Sequence, residues 1–335
     1  MKKIFNSIIE FIKEDYKFIL LCILVIFLGL YKLPYNLYTG GGIIDISDKV
    51  EVENRNEVKG SFNMAYVKQV RATIPTYLLS YIFNWDREKV SDTLIDENDT
   101  PSDLWKRERL YMDEANTSAL LSAFKLANED VEIIKERVIV LYLVNEAKTD
   151  LHIGDEIINV DNIVVHETSD LTGIVSNHQL GDRINIKVLR DNKEIECYSE
   201  VIKLDDTLKL GIALIRNYEY KTNRNVKFNF DSNEAGPSGG LMLALEIYNQ
   251  LTVDDITKGY KIAGTGTIDS LGNIGTIGGV KYKLKGAESD KAKVFFVPVG
   301  NYDEAMKEKE EHNYKIEVIK VENISDAINY LKGMK

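Results

Sequence analysis

Five small or rigid residues, Gly236-Pro237-Ser238-Gly239-Gly240, run straight into the apolar segment Leu241-Met242-Leu243-Ala244-Leu245, and a second glycine turn, Gly278-Gly279-Val280-Lys281, follows downstream. No other feature constrains the chain as strongly. The first run places Ser238 in a tight turn at the opening of a helix, where backbone N–H groups have no intrahelical partner and other groups can approach closely. A serine hydroxyl is a poor nucleophile at neutral pH unless a base takes its proton. A lysine does this only when desolvation lowers its pKa. The apolar, glycine-rich stretch Ile274–Val280 ahead of Lys281 offers such surroundings. Singly, Gly-Pro-Ser is an ordinary turn with an N-cap, and Gly-Gly-Val-Lys an ordinary turn before a solvated lysine. Together they read as a nucleophile and its base.

Between the two turns lies the strand-like Tyr260–Ile268, ending in small and hydroxyl residues, and then a Ser270-Leu271-Gly272-Asn273 turn. Over about residues 206–335 this arrangement resembles the proteolytic domain of the Lon family. The resemblance implies Ser238 as nucleophile, Lys281 as base at the required spacing of 43 residues, and Thr265 steadying the lysine amine. Gly236 and Gly239 support the site, the backbone N–H groups around them forming an oxyanion hole. Two departures are visible: Ala235 stands where ATP-dependent relatives often carry an acid, and Gly239 stands where alanine is usual. Lys283 and Lys285 are rivals for the base, read as solvated because only Lys281 directly follows the glycine pair.

No window supplies the Gly-x4-Gly-Lys-Ser/Thr of a P-loop, and the glycines at 264–279 miss the dinucleotide-binding spacing. No cofactor is therefore expected. Without an unfolding motor the enzyme acts on short or flexible segments, making limited cuts.

The N-terminal part suggests where this happens. Phe18–Tyr31 is uncharged and apolar, flanked by Lys17 and Lys32 and continued by Leu33–Tyr38 with its tyrosines. Residues 18–38 are expected to form a transmembrane signal anchor, with lysines snorkelling and tyrosines at the interface. Lys2, Lys3, Lys13 and Lys17 precede the apolar run, which puts residues 1–17 in the cytoplasm and the rest outside it. Residues 39–127 form an extracytoplasmic connecting region. Within it, Gly60–Val67 reads as a strand of unknown partner, the aromatic stretch Thr76–Arg87 as core, and Leu104–Asn128 as a helix.

Residues 128–205 alternate short strands and turns. The period-two pattern of Ile184, Ile186 and Val188 marks a strand with one buried face. Leu151-His152-Ile153-Gly154-Asp155-Glu156-Ile157-Ile158-Asn159-Val160-Asp161 resembles the core of a PDZ domain, with a helix following near Ser169–Gln179. Such a domain binds an extended peptide as an added strand.

The net charge of −11 argues against a nucleic-acid partner. Cys22 and Cys197 are too far apart in context to pair, and the four histidines have no metal-ligand spacing. The expected fold class is thus α+β and multidomain: a transmembrane helix, a PDZ-like β-rich domain and a C-terminal Lon-type α/β proteolytic domain at 206–335. This order is similar to the YlbL/SepM group of membrane-bound proteases. The resemblance implies an ATP-independent serine endopeptidase, single-pass in the cell membrane, that cuts small secreted or tethered proteins and peptides. Homo-oligomers are a further family expectation. The competing reading is a catalytically silent, membrane-tethered peptide-binding adaptor.

Overall fold

The computed structural model describes the backbone of residues 2–90, 100–231 and 236–334, and their side chains from residue 15 onward, Pro101 excepted. Ala235 lies outside the described residues. The chain divides into two compact units, residues 1–39 with 67–97, and residues 40–66 with 98–335. In chain order the first elements are α1 (Lys2–Leu30), β1 (Lys32–Asp45), β2 (Val50–Val52), β3 (Ser61–Thr73), α2 (Ile74–Ile82), β4 (Asp86–Lys89) and α3 (Pro101–Ala127). Strands β1 and β3 each contribute to both units.

In the first unit, α1 loses helical geometry at Asp15 (φ −108°) and stops at Leu30. The transmembrane expectation is corrected here. Residues 16–30 rise roughly 22 Å at ~1.5 Å per residue, short of the ~30 Å hydrocarbon layer. Residues 32–38, expected in the span, belong instead to β1, which pairs with β4 from Tyr35↔Lys89 to Tyr38↔Asp86. Among the described residues no helix is long and apolar enough to cross a membrane. Helix α2 starts with Pro75 in its first turn and with the Thr73 N–H donating to Thr76 Oγ1 at 2.8 Å. The expectation that this stretch packs into a core is also corrected, since Leu78, Tyr81, Ile82 and Phe83 are exposed and Ser80 is buried.

Among the described residues, the second unit contains two large sheets and three two-stranded ones. Strands β5 (Val131–Leu143), β6 (Glu156–Val160), β7 (Ile163–Val164), β8 (Arg183–Arg190) and β9 (Lys193–Glu200) are followed by β10 (Ile202–Leu204), β11 (Thr207–Lys209) and β12 (Ile212–Thr222). Of these, β12-β5-β6-β8-β9 form one sheet in that order. A short helix, α4 (Thr168–Val175), covers it. Leu171, Ile174 and Val175 of α4 join Ile184, Ile186 and Val188 in one buried cluster, so the alternation visible in β8 is the inward face of this sheet. The Gly-Asp turn is held by Asp155, 1% exposed. Its carboxylate takes both the Nε and an Nη of Arg190 at 2.7 Å, and the His152 N–H at 2.7 Å. Gly154 meets the turn's positive φ of +97°. Next to it, burial works against the Glu156 carboxylate, but Lys135 and Arg137 at 2.9 and 2.8 Å outweigh it and hold the pKa below the usual value.

The remaining elements are β13 (Val226–Phe228), a 3-10 turn at Pro237–Gly239, α5 (Gly240–Leu251), β14 (Lys261–Gly264), β15 (Thr267–Ile268), β16 (Ile274–Gly275), α6 (Val280–Ser289), β17 (Val294–Pro298), α7 (Tyr302–His312), β18 (Glu317–Val321) and α8 (Ile324–Gly333). The second large sheet runs β18-β17-β14-β3-β1, and the two-stranded ones are β10-β11, β13-β2 and β15-β16. Strands β3, β14, β17 and β18 are mutually parallel, and β17 is buried throughout, as a strand covered on both faces must be. Every residue of α5 is buried, matching its nearly unbroken apolar sequence. Helix α3 lies along it, contributing Leu120 and Phe124 to the shared core, and ends at Asn128 in the left-handed conformation (φ 56°).

Residues 40–66 take part in this sheet and in the core beside it. Phe62 of β3 pairs with Ile262 of β14, and Ile46, Val50, Val52 and Phe62 are core residues of the same body as α5. The C-terminal α/β domain is therefore completed by strands that precede the β-rich domain in sequence.

Candidate active site

The local backbone around Ser238 is fixed by the end of β14. Thr265 Oγ1 donates to the Ser238 carbonyl at 3.0 Å, and the Gly266 N–H donates to the same oxygen at 2.8 Å. The Leu241 N–H returns a bond to the Gly266 carbonyl at 3.1 Å. Ser238 sits in the 3-10 turn that leads into α5 and is half-buried, so its hydroxyl is within reach of a docked chain. Gly236 takes φ +114° at the start of the turn. A side chain at Gly239 would run into the Met64 thioether of β3, and one at Gly240 would meet Ile268 Cγ2 at 2.7 Å. Gly239 in place of the usual alanine thus has a physical reason, since Met64 fills that space.

Lys283, read as solvated, is instead the buried amine, and its Nζ donates to Thr265 Oγ1 at 3.2 Å. Lys283 is 5% exposed, and burial pulls its pKa down to about 8. Helical phase explains the choice. Lys283 shares the inner side of α6 with Val280, Leu284 and Ala287, whereas Lys281 shares a face with exposed Lys285 one turn on. Lys281 is half-buried, with its amine 4.9 Å from the centre of the Tyr282 ring. Gly279 is needed at the helix start because it takes φ +69°.

Thr265 therefore links the two halves of the site, accepting from the Lys283 amine and donating to the Ser238 backbone. Thr265 itself is 0% exposed, and its own N–H donates to the Phe296 carbonyl at 3.0 Å. Sequence reasoning missed a clamp behind α6. The Asn301 side chain donates to the Ile277 carbonyl and accepts from the Ile277 N–H, each at 2.9 Å, and so fixes the loop that launches the lysine helix. An Asn ahead of a polar helix carries no signal of such a role.

A cavity of about 550 Å³ opens where β5 and β12 meet α3, α4 and the β15–β16 turn. Its walls include Tyr111 and Glu114 of α3, Thr168 of α4, Tyr218 of β12, and Asp269 and Ser270 of the β15–β16 turn. Burial, opposed by the Ser118 hydrogen bond and aided by nearby Asp269, raises the pKa of Glu114. Glu308, Glu311 and His312 cluster on α7 and are largely exposed, an ordinary surface grouping on a polar helix.

A buried lysine joined through a threonine to a serine-bearing helix start, on a mostly parallel sheet beside a β-rich domain, defines a class. Residues 119–201 match the PDZ domain model, and residues 231–332 match the C-terminal proteolytic domain of Lon protease (S16). The chain thus carries one stretch similar to a PDZ domain and another similar to the Lon proteolytic domain. It is 35% identical over 94 residues to the Lon protease of Aster yellows witches'-broom phytoplasma (strain AYWB), a stretch covering 28% of this chain and 12% of that protein. Among solved structures, the PDZ domain of the SdrC-like protein from Listeria monocytogenes is similar at 19% identity, covering 25% of this chain and 93% of that one, with a TM-score of 0.23. The PDZ domain of the SdrC-like protein from Listeria innocua matches at 24% identity, covering 23% and 92%, with a TM-score of 0.22.

Proposed function

We propose that the chain is an ATP-independent serine endopeptidase in which Ser238 is the nucleophile and Lys283 the general base. The observation that carries this reading is the buried Lys283 amine bonded to Thr265, in a chain whose Ser238 backbone is held by the same threonine. Neutral Lys283 takes the Ser238 proton as the oxygen attacks the scissile carbonyl. The N–H groups of the first turn at Gly236–Gly239 stabilise the oxyanion, and an acyl-enzyme forms that water then releases. Thr265 orients the amine. The absence of a P-loop in these 335 residues supports cleavage without ATP.

The PDZ domain captures one part of an extended peptide or protein and presents another to Ser238. The cavity shared by α4, β12 and the β15–β16 turn supports a continuous path between them. The chain is held at a membrane by α1 and acts on small secreted or membrane-tethered proteins. The support for attachment is the exposed apolar surface of residues 18–30 together with the lysine-rich segment before it.

The test compares the parent chain with Ser238→Ala, Lys283→Ala and Lys281→Ala against a pool of secreted and single-span proteins, reading new termini by mass spectrometry. Termini lost in the first two variants and retained in the third are expected. Retention in Lys283→Ala with loss in Lys281→Ala would reverse the assignment of the base. Identical termini from every folded variant would replace catalysis by peptide binding alone.

A further inference from the structure

We infer that α2 is seated in the interfacial layer of a lipid bilayer, next to the apolar end of α1. This rests on the membrane attachment proposed for α1 and adds a second contact to it.

The argument starts from an inversion. In a helix packed against a protein in water, the apolar residues turn inward and the polar ones outward. Helix α2 does the reverse. Ser80 is 0% exposed, its hydroxyl donating to the Tyr77 carbonyl at 2.6 Å and accepting from Arg87 Nη1 at 3.1 Å. Leu78 and Ile82, four residues apart on one face, are 62% and 73% exposed, and Phe83 follows at 56%. Water is a poor solvent for that face, and its neighbour shows which solvent fits.

Helix α1, which touches α2, exposes five consecutive apolar residues, Ile23 to Phe27, at 51–59% each. At about 100° per residue these cover the whole circumference of the helix. A docked protein helix would cover one stripe. Lipid covers every side, so the surroundings of α1 are hydrocarbon, and α2 beside it meets the same phase at its edge. Interfacial chemistry is present around α2. Tyr35, Tyr77 and Tyr81 form a chain of rings with centroids 5.0 and 5.7 Å apart, and the Arg87 guanidinium lies 4.0 Å from the Tyr81 ring centre, a cation placed at headgroup level. An apolar helix too short to cross a bilayer gains from such a second contact, because each buried apolar side chain adds to membrane affinity.

Trp85, stacked on Phe83 with centroids 5.5 Å apart, is a built-in reporter. The full chain carrying Trp105→Phe is added to phosphatidylcholine/phosphatidylglycerol vesicles whose acyl chains are brominated at shallow or deep positions. Binding with a blue shift of Trp85 emission, and stronger quenching by shallow than by deep bromine, is expected. The pair Leu78→Glu and Ile82→Glu, both at exposed sites and so compatible with folding, should abolish the quenching while α1 keeps the chain on the vesicles. Vesicle-bound chain with unquenched Trp85 overturns the seating of α2 and leaves attachment intact. Chain that does not bind vesicles overturns the attachment reading itself. A Trp85 shift that follows protein concentration without lipid assigns the face to a second copy and overturns the proposal.

Discussion

At the residue scale, two positions apart on one helix separate a buried amine from a half-exposed one. The Lys283 pKa of about 8 follows from burial, and in the proposed mechanism only the neutral amine accepts the Ser238 proton. Peptide cleavage by the parent chain should therefore rise with pH and level off above about 8, with roughly 1% of the plateau rate at pH 6 if one deprotonation governs. A flat profile of kcat/KM between these limits would remove lysine as the base. A second residue-scale prediction concerns Gly239. Its replacement by Ala forces Met64 to move and should cost about 1–2 kcal/mol of stability, as overpacking does. In a Met64→Ala background the same change should cost clearly less, so a double-mutant cycle measured by denaturant unfolding gives a non-zero coupling. The turn at Ser238 and the strand end at Thr265 were legible in sequence because each sits in a short motif with local meaning. The burial of Lys283 was not: a position two past the glycine turn reads as solvated, whereas burial is set by the phase of α6 against Val280, Leu284 and Ala287.

At the element scale, α5 shows what an all-buried helix does with a charged residue. Glu246 is 1% exposed, and burial raises its pKa to about 7 despite the hydrogen bond from Gln250 at 2.6 Å. The folded pKa lies above the unfolded one, so folding carries no ionisation penalty below about pH 4.5. The penalty grows between pH 4.5 and 7, and is complete above 7. At ~1.4 kcal/mol per pKa unit it amounts to about 3 kcal/mol. Glu246→Gln should thus raise Tm at pH 8 and change it little at pH 4.5; an offset independent of pH would deny Glu246 its buried charge. Helices α3 and α5, and strands β8 and β14, were readable from periodicity and turn residues. The α2 stretch was misread because aromatic and aliphatic composition signals burial without saying whether protein or another apolar phase supplies it.

At the scale of the whole molecule, the α/β domain that carries Ser238 is discontinuous in sequence. The stretch that matches the Lon proteolytic domain starts at residue 231, yet β3 pairs in parallel with β14 in the middle of its sheet, and Phe62 lies at 0% exposure in its core. A fragment of residues 231–335 should lack the cooperative thermal transition that residues 40–335 show by circular dichroism. Equal transitions would mean that β1 to β3 only decorate the domain. This organisation escaped sequence reading because an isolated strand names no partner, and the pairing of Phe62 with Ile262 spans some 200 positions.

That pairing sets a timetable for biosynthesis. The strand that must lie beside β14 leaves the ribosome early and waits, with only β1 for a neighbour, while the entire PDZ domain is made and folds on its own local contacts. Closing so long a loop is slow, though its entropic cost grows only as the logarithm of length. The serine turn and the lysine helix, both anchored to the end of β14, come together only after that closure. Under the proposed function the nascent protein is thus unable to cut anything, itself included, until its last segments have been delivered, a form of delayed maturation that needs no propeptide.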